Sequence, residues 1–134
     1  MPNDEVFQSI AVKELHVSEL DARSVNGTIK GGLISLGEDS EVTISSGAIT
    51  VTQSYHNVDT EADAASDDLT TINGGVTGQI LVLRSNNSGR DIVLKDGGGN
   101  LTLSGDFTLA GNNDTIMLIL KSNGYWSEIS AMTN

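Results

Sequence analysis

The chain has 134 residues and a mass of 14.0 kDa, enough for one compact domain and an additional arm. Its formal net charge is −11 and its isoelectric point is about 4.2, a field that repels nucleic-acid backbones and anionic lipid surfaces, so neither a nucleic acid nor a membrane is an expected partner. Cysteine is absent, which excludes disulfides, thiolate zinc sites and cysteine nucleophiles.

The charge is unevenly spread. Residues 1–68 carry 13 acids and 3 bases, and residues 69–134 carry 5 acids and 4 bases. Two zones with different surroundings are expected. Glycine is frequent at 15 residues and proline occurs once, at Pro2. With Val, Ile and Leu far ahead of the aromatic residues, this points to short strands, tight turns and an aliphatic core.

Residues 1–32 begin with "MPNDEVFQSI", which lacks the basic start and apolar run of a secretory signal. No apolar run anywhere reaches the ~18–20 residues that span a membrane as a helix. Apolar residues come in alternating bursts: Ile10 and Val12, Leu15 and Val17, then Val25 and, after an Asn26-Gly27 turn, Ile29. A helix over residues 6–20 would align Phe7, Ile10 and Ala11, but Glu14, Ser18 and Asp21 would fall on or near the same stripe. An extended N-terminal arm is therefore expected. It is too sparse in apolar groups to be stable alone, so Phe7, Ile10, Val12, Leu15 and Val17 become candidate contacts with a partner surface.

From Leu33 the pattern is that of strands. Val42 and Ile44 alternate, as do Ile49 and Val51, with Ser46-Gly47 marking a hairpin between them. Residues 59–75, "DTEADAASDDLTTINGG", are small and acidic and read as a surface loop with one helical turn near Ala62–Ala65. The remainder, "GQILVLRS", "RDIVLKD", "GNLTLSG", "DFTLAG", "DTIMLILKS" and "GYWSEIS", repeats a short apolar alternation separated by Gly, Asn, Asp and Ser. With no long helical stretch between them, these segments predict an all-β fold. Residues 33–134 would form an antiparallel β-sandwich, jelly-roll-like or closed into a barrel.

Four constellations bear on chemistry. "KDGGGNLTL" is rich enough in glycine to cradle a phosphate, but a Walker loop needs a Gly-Lys-Ser/Thr ending that opens a helix. Here Leu101 and Leu103 alternate as in a strand, so Gly97–Gly99 are expected to be a turn. Alternating acids at Asp59, Glu61, Asp63, Asp67 and Asp68 lack the mid-loop Gly and closing Glu of a calcium loop, and a solvated acidic loop is expected instead. His16 and His56 stand alone, without a second imidazole at helical spacing, and His56 is expected to end a strand at the surface. Tyr125 and Trp126 must face opposite ways on one strand, with Trp126 the core residue and Tyr125 outside. Arg84 and Arg90 flank the "SNNSG" turn as candidates for intersubunit ion pairs, against the plainer reading of solvated side chains. No nucleophile elbow, cofactor loop or metal set stands out, so no catalysis and no cofactor are expected.

The C-terminal half resembles a module of tailed-phage virion proteins. The resemblance rests on a "GQIL-L" strand at Gly78–Arg84, an "R-I-LKDG-GNL-L-GDF-L" middle at Arg90–Leu109 and a "DTI-L-L---G-W-EIS" ending at Asp114–Ser130. It covers about residues 70–130, roughly half of the chain. The family includes head decoration proteins and tail-fibre ends, where β-domains assemble as trimers. The resemblance thus implies a structural protein on the outer surface of the virion head: a decoration (cement) protein, homotrimeric, with the major capsid protein as partner. Its alternative is a tail-fibre or tail-tip protein that binds the host surface. A small hydrolase acting on host polysaccharide would need paired acids, for which the spacing of Glu61, Asp67 and Asp68 offers no support.

Overall fold

The computed structural model describes residues 33–134. The expected arm over residues 1–32, with Phe7, Ile10, Val12, Leu15 and Val17, lies outside the described residues. The described part is all-β, as expected. Its strands are β1 (Ser40–Thr43), β2 (Ala48–Val51), β3 (Tyr55–Asp59), β4 (Ser66–Leu69), β5 (Thr71–Gly74), β6 (Ile80–Ser85), β7 (Asp91–Leu94), β8 (Leu101–Thr102), β9 (Phe107–Leu109), β10 (Thr115–Leu120) and β11 (Trp126–Met132).

They form three sheets. One has six strands in the order β1-β3-β6-β10-β11-β8, the second pairs β2 with β5, and the third has the order β4-β7-β9. Five pairings are parallel: β1 with β3, β3 with β6, β2 with β5, β4 with β7, and β8 with β11. Only β6–β10, β10–β11 and β7–β9 are antiparallel. The expectation of an antiparallel sandwich is thus met only where the last strands close back on the rest. The physical reason is that alternation reports which side of a strand is buried and carries no information on the direction of its neighbour. Parallel strands are usually covered on both faces and read as continuous apolar runs. Here β3 is buried at four successive residues, His56 to Asp59, but other parallel strands are buried on one side, as in β6, where Leu81, Leu83 and Ser85 are buried and the residues between them are half-buried.

The Ser46-Gly47 turn illustrates the point. Both residues take positive φ, 52° and 76°, and Ser45 and Ala48 exchange backbone hydrogen bonds at 2.9 and 3.1 Å. This is the turn the sequence predicts. The hairpin, however, ends with that single bridge, because β1 leaves to pair with β3 and β2 leaves to pair with β5. The acidic stretch differs from expectation too. A 3₁₀ turn spans Glu61–Asp63, but Ser66–Leu69 and Thr71–Gly74 are strands inside the stretch expected to be a surface loop.

One core lies inside the three sheets. It is aliphatic except for Trp126 and includes Ile44, Leu69, Ile72, Leu83, Ile92 and Ile116, all at 1% exposure or less. Inward positions meet in register: Ile49 beside Ile72, Leu69 beside Leu94, Leu83 beside Ile116, and Leu101 beside Trp126. Burial of such side chains contributes roughly 1.5–3 kcal/mol each before conformational entropy is counted.

Gly97–Gly99 turn the chain between β7 and β8, which do not pair with each other, so the segment is a corner and not a hairpin. Gly99 has φ +50°, and a Cβ there would fall 2.3 Å from the Thr70 carbonyl oxygen. This close approach, more than the reversal itself, requires glycine. It seats Asn100 against β5. The Asn100 side chain accepts from Ile72 N–H at 2.9 Å and donates to the Ile72 carbonyl at 2.8 Å, replacing two backbone bonds that no neighbouring strand supplies to that residue. The Asn100 carbonyl in turn accepts from Trp126 N–H at 2.9 Å. The buried indole Nε1–H donates to the same Ile72 carbonyl at 3.2 Å. Asn100→Ala is expected to lower the unfolding free energy by about 2–3 kcal/mol, because it leaves the buried Ile72 N–H unpaired and removes one of the two donors to the Ile72 carbonyl. Ser88→Ala, in an exposed turn, should stay within about 0.5 kcal/mol of the parent. Urea unfolding of the full chain checks both, and equal midpoints for the two variants would contradict the role of Asn100.

Candidate functional site

The acidic stretch and Arg90 form the best-organised cluster of charged side chains. β3 ends at Asp59 and β7 begins just after Arg90, and these ends lie close enough for a direct pair. Arg90 Nη1 donates to both carboxylate oxygens of Asp59 at 2.9 and 2.7 Å and lies 2.8 Å from Asp63 Oδ1. The turn that presents Asp63 is strained, since Ala62 and Asp63 both have left-handed φ, 53° and 60°. It is held by Thr60 Oγ1 donating to the Ala64 carbonyl at 2.7 Å and by Asp67 accepting from Glu61 N–H at 2.8 Å. Glu61 accepts from Ser46 N–H at 3.2 Å. Four of the five acids singled out in the sequence therefore have structural partners within the chain, and Asp68 lies on the exposed side of β4. Among the described residues no group of three or more His, Asp or Glu side chains is placed to hold a metal ion.

Burial pushes the Asp59 carboxyl up. The hydrogen bonds from Arg90 and from Thr60 N–H, together with the Arg90 charge, outweigh it and hold the group below the usual carboxylate range. A second pair binds the segment before β1. Asp39 accepts from Asn57 Nδ2 at 2.7 Å and from Arg84 Nη2 at 2.8 Å, and these bonds lower its carboxyl, Asn57 first and Arg84 next. Arg84 also donates to the Asn112 carbonyl at 3.2 Å. A third pair joins Lys95 and Asp106 at the glycine corner. There the Lys95 hydrogen bond, followed by Asp96 N–H, lowers Asp106. Arg84 and Arg90, expected as intersubunit candidates, thus both have carboxylate partners in their own chain. Each arginine ties two distant stretches of sequence together.

His56 differs from expectation. It is fully buried in β3, facing inward beside Leu83, instead of ending a strand at the surface. Its Nε2 accepts the N–H groups of Thr52 and Gln53 at 3.1 and 3.3 Å. Its Nδ1 lies 2.9 Å from the Ser40 carbonyl, so the hydrogen sits on Nδ1. The imidazole serves the tight link between β2 and β3, whose donors would otherwise be unpaired. Tyr125 and Trp126 divide as expected, with Trp126 buried and Tyr125 43% exposed. Asp39, Asn57 and Asn100 are structural residues that the sequence reading passed over. Asn100 alone had a local signal, since it stands between a glycine corner and a strand.

The chain matches no family model and no curated protein. What the clusters do chemically is hold loops in place: Asp39, Asp59, Glu61, Asp63, Asp67 and Asp106 each meet a guanidinium, an ammonium or a backbone N–H. Asp39, Asp59 and Asp106 are lowered in the folded state, so the stability they supply is complete above their unfolded value of about 3.9 and disappears as pH falls through the folded values. Thermal stability is expected to be level from neutral pH to about pH 5 and to fall below about pH 4. Asp59→Asn should lower the melting temperature at pH 7 and flatten the acid limb. Thermal melts of both proteins from pH 7 to pH 3 check this, and an unchanged acid limb in the variant would contradict it.

Proposed function

We propose that the chain is a virion structural protein of a tailed phage, a head decoration (cement) protein that binds the capsid exterior as a homotrimer and stabilises the shell. One observation carries the reading. The three segments that resemble the phage module fall on consecutive strands of two of the sheets: Gly78–Arg84 on β6, Arg90–Leu109 on β7 to β9, and Asp114–Ser130 on β10 and most of β11. They also supply Asn100 and Trp126, the residues that close the core on Ile72. A resemblance distributed over connected strands and their closing contact is a stronger guide than one confined to a loop.

In this reading residues 1–32 are the attachment arm. Phe7, Ile10, Val12, Leu15 and Val17 contact the major capsid protein and remove apolar surface from water at roughly 25 cal/mol per Å², before ordering costs. Residues 33–134 are the knob. Binding that occurs only on the assembled shell stabilises the shell by mass action. The knob's finer architecture belongs to the proposal as well. The expected jelly-roll-like sandwich or barrel competes with stacked turns of parallel strand closed by an antiparallel end. The parallel pairings of β1, β3 and β6, of β2 and β5, and of β4 and β7 favour stacked turns. A second reading, a tail-fibre or tail-tip protein binding the host surface, is favoured by one feature: Tyr125 is 43% exposed in the link before β11, where an aromatic ring can stack on a sugar.

Co-sedimentation with undecorated capsids tests the proposal. The full chain is expected to pellet with the shells and to raise their disruption temperature. A chain lacking residues 1–32 should stay in the supernatant while keeping its β-type circular dichroism. Full occupancy by the truncated chain would refute the arm, and binding to host cells instead of shells would favour the second reading.

A further inference from the structure

We propose that Asn73 is a site of spontaneous covalent modification, where the side-chain amide is lost as ammonia and an aspartyl or isoaspartyl residue takes its place. The inference goes beyond the assembly reading and does not rest on it. Asn is followed by Gly at Asn26-Gly27, Asn73-Gly74 and Asn123-Gly124. Such a pair favours attack of the next backbone nitrogen on the side-chain amide, because glycine has no side chain to obstruct the approach. The first pair lies outside the described residues. The other two differ in how the fold holds the reacting atoms.

At Asn123 both reacting groups are engaged. Gly124 N–H donates to the Lys121 carbonyl at 3.0 Å, and the Asn123 side-chain oxygen accepts from Tyr125 N–H at 3.3 Å. Attack there must first open the turn that joins β10 to β11. At Asn73 neither group is held. The side chain is exposed, and no hydrogen bond to it is found among the described residues. Backbone groups of successive strand residues point to opposite edges. Thr71 N–H faces β2 and donates to the Gly47 carbonyl at 3.1 Å, while Ile72 N–H faces the other way and meets the Asn100 side chain. By the same alternation Asn73 N–H faces β2 and Gly74 N–H points to the edge along which no strand pairs with β5. No partner for Gly74 N–H is found among the described residues.

The reaction needs water as its one co-reactant. Solvent base removes the Gly74 N–H proton, and the nitrogen forms a bond to Asn73 Cγ. The Cγ–Nδ2 bond breaks, and Nδ2 takes the proton back and leaves as ammonia. The cyclic imide then takes up a water. Opening at Cγ gives aspartate, and opening at the main-chain carbonyl gives isoaspartate, which lengthens the backbone by a methylene. The next residues leave no room for that length. A Cβ on Gly74 would fall 2.5 Å from the Val51 carbonyl oxygen, and one on Gly75 would fall 2.7 Å from the Trp126 ring. The isoaspartyl chain therefore disturbs both the end of the β2–β5 pairing and the seat of Trp126. Plain aspartate, at this exposed position, keeps the chain length.

Ageing of the full chain in mildly alkaline buffer, then trypsin digestion and mass spectrometry, tests this. Cleavage after Lys30, Arg84 and Lys121 puts Asn73 in peptide 31–84 and Asn123 in peptide 122–134, with fragmentation assigning the change to position 73. In the folded chain Asn73 is expected to convert at least about fivefold faster than Asn123, the factor that corresponds to one net hydrogen bond. In guanidinium chloride, where neither pair is held, the two rates should come together. Asn73→Gln should fold as the parent and lose the change at position 73. The isoaspartyl form, detected by enzymatic methylation, should unfold at a lower urea concentration than Asn73→Asp. Equal conversion at the two sites in the folded chain, or conversion of Asn73 only after unfolding, would overturn the site. Equal midpoints for the isoaspartyl form and Asn73→Asp would overturn its structural effect.

Discussion

The Ile72 carbonyl oxygen is the point on which the C-terminal closure of the fold depends. It accepts from the Asn100 side chain and from the Trp126 indole, while Asn100 also takes the Ile72 N–H. A strand that lacks a full-length neighbour leaves buried backbone groups unpaired, and each such group costs about 1–3 kcal/mol. β8 is only two residues long and pairs with β11, so it offers β5 no ladder. One amide side chain and one indole replace that ladder. This arrangement requires the glycine corner, because a Cβ at Gly99 would strike the Thr70 carbonyl and push Asn100 away. It also requires Trp126 to lie in the core, next to Leu101 and Leu120, where its ring is sealed from water.

Ion pairs tie further stretches of the chain together. Arg90 ties the start of β7 to the end of β3 through Asp59, and Arg84 ties β6 to the stretch before β1 through Asp39. Lys95 and Asp106 brace the glycine corner. Three of the four basic residues in the described part are thus committed inside the chain, which leaves its outward charge strongly acidic. Asp68 and Asp91 lie on the outward side of β4-β7-β9, and Glu41 and Asp39 lie on the outward face of the six-stranded sheet. The charge distribution therefore locks the loops that connect the strands.

Much of this was legible in the sequence, and the missing part has a physical cause. Alternation at Ile49/Val51, at Leu81/Leu83 and at Ile116/Leu118 located strands and their inward sides correctly. Ser46-Gly47 revealed its turn through the two residues that accept positive φ. The partner of each strand was not legible. A turn with the right local geometry can open a hairpin or merely a corner, and the difference lies in contacts many residues away. The carboxylate partners of Arg84 and Arg90 were not legible for the same reason, because Asp39 and Asp59 are 45 and 31 residues distant. His56 looked superficial because nothing near it in sequence reveals that Ser40 and the β2–β3 link surround it.

The proposal joins these features into a building part: a domain whose loops are tied down by ion pairs within the chain, with an arm for a shell. Its central claim is a place on the virion head. Electron microscopy of virions labelled with gold-conjugated antibody against residues 33–134 addresses that claim directly. The account predicts label distributed over the heads. Label confined to the tail tip, or none on intact virions, would contradict it.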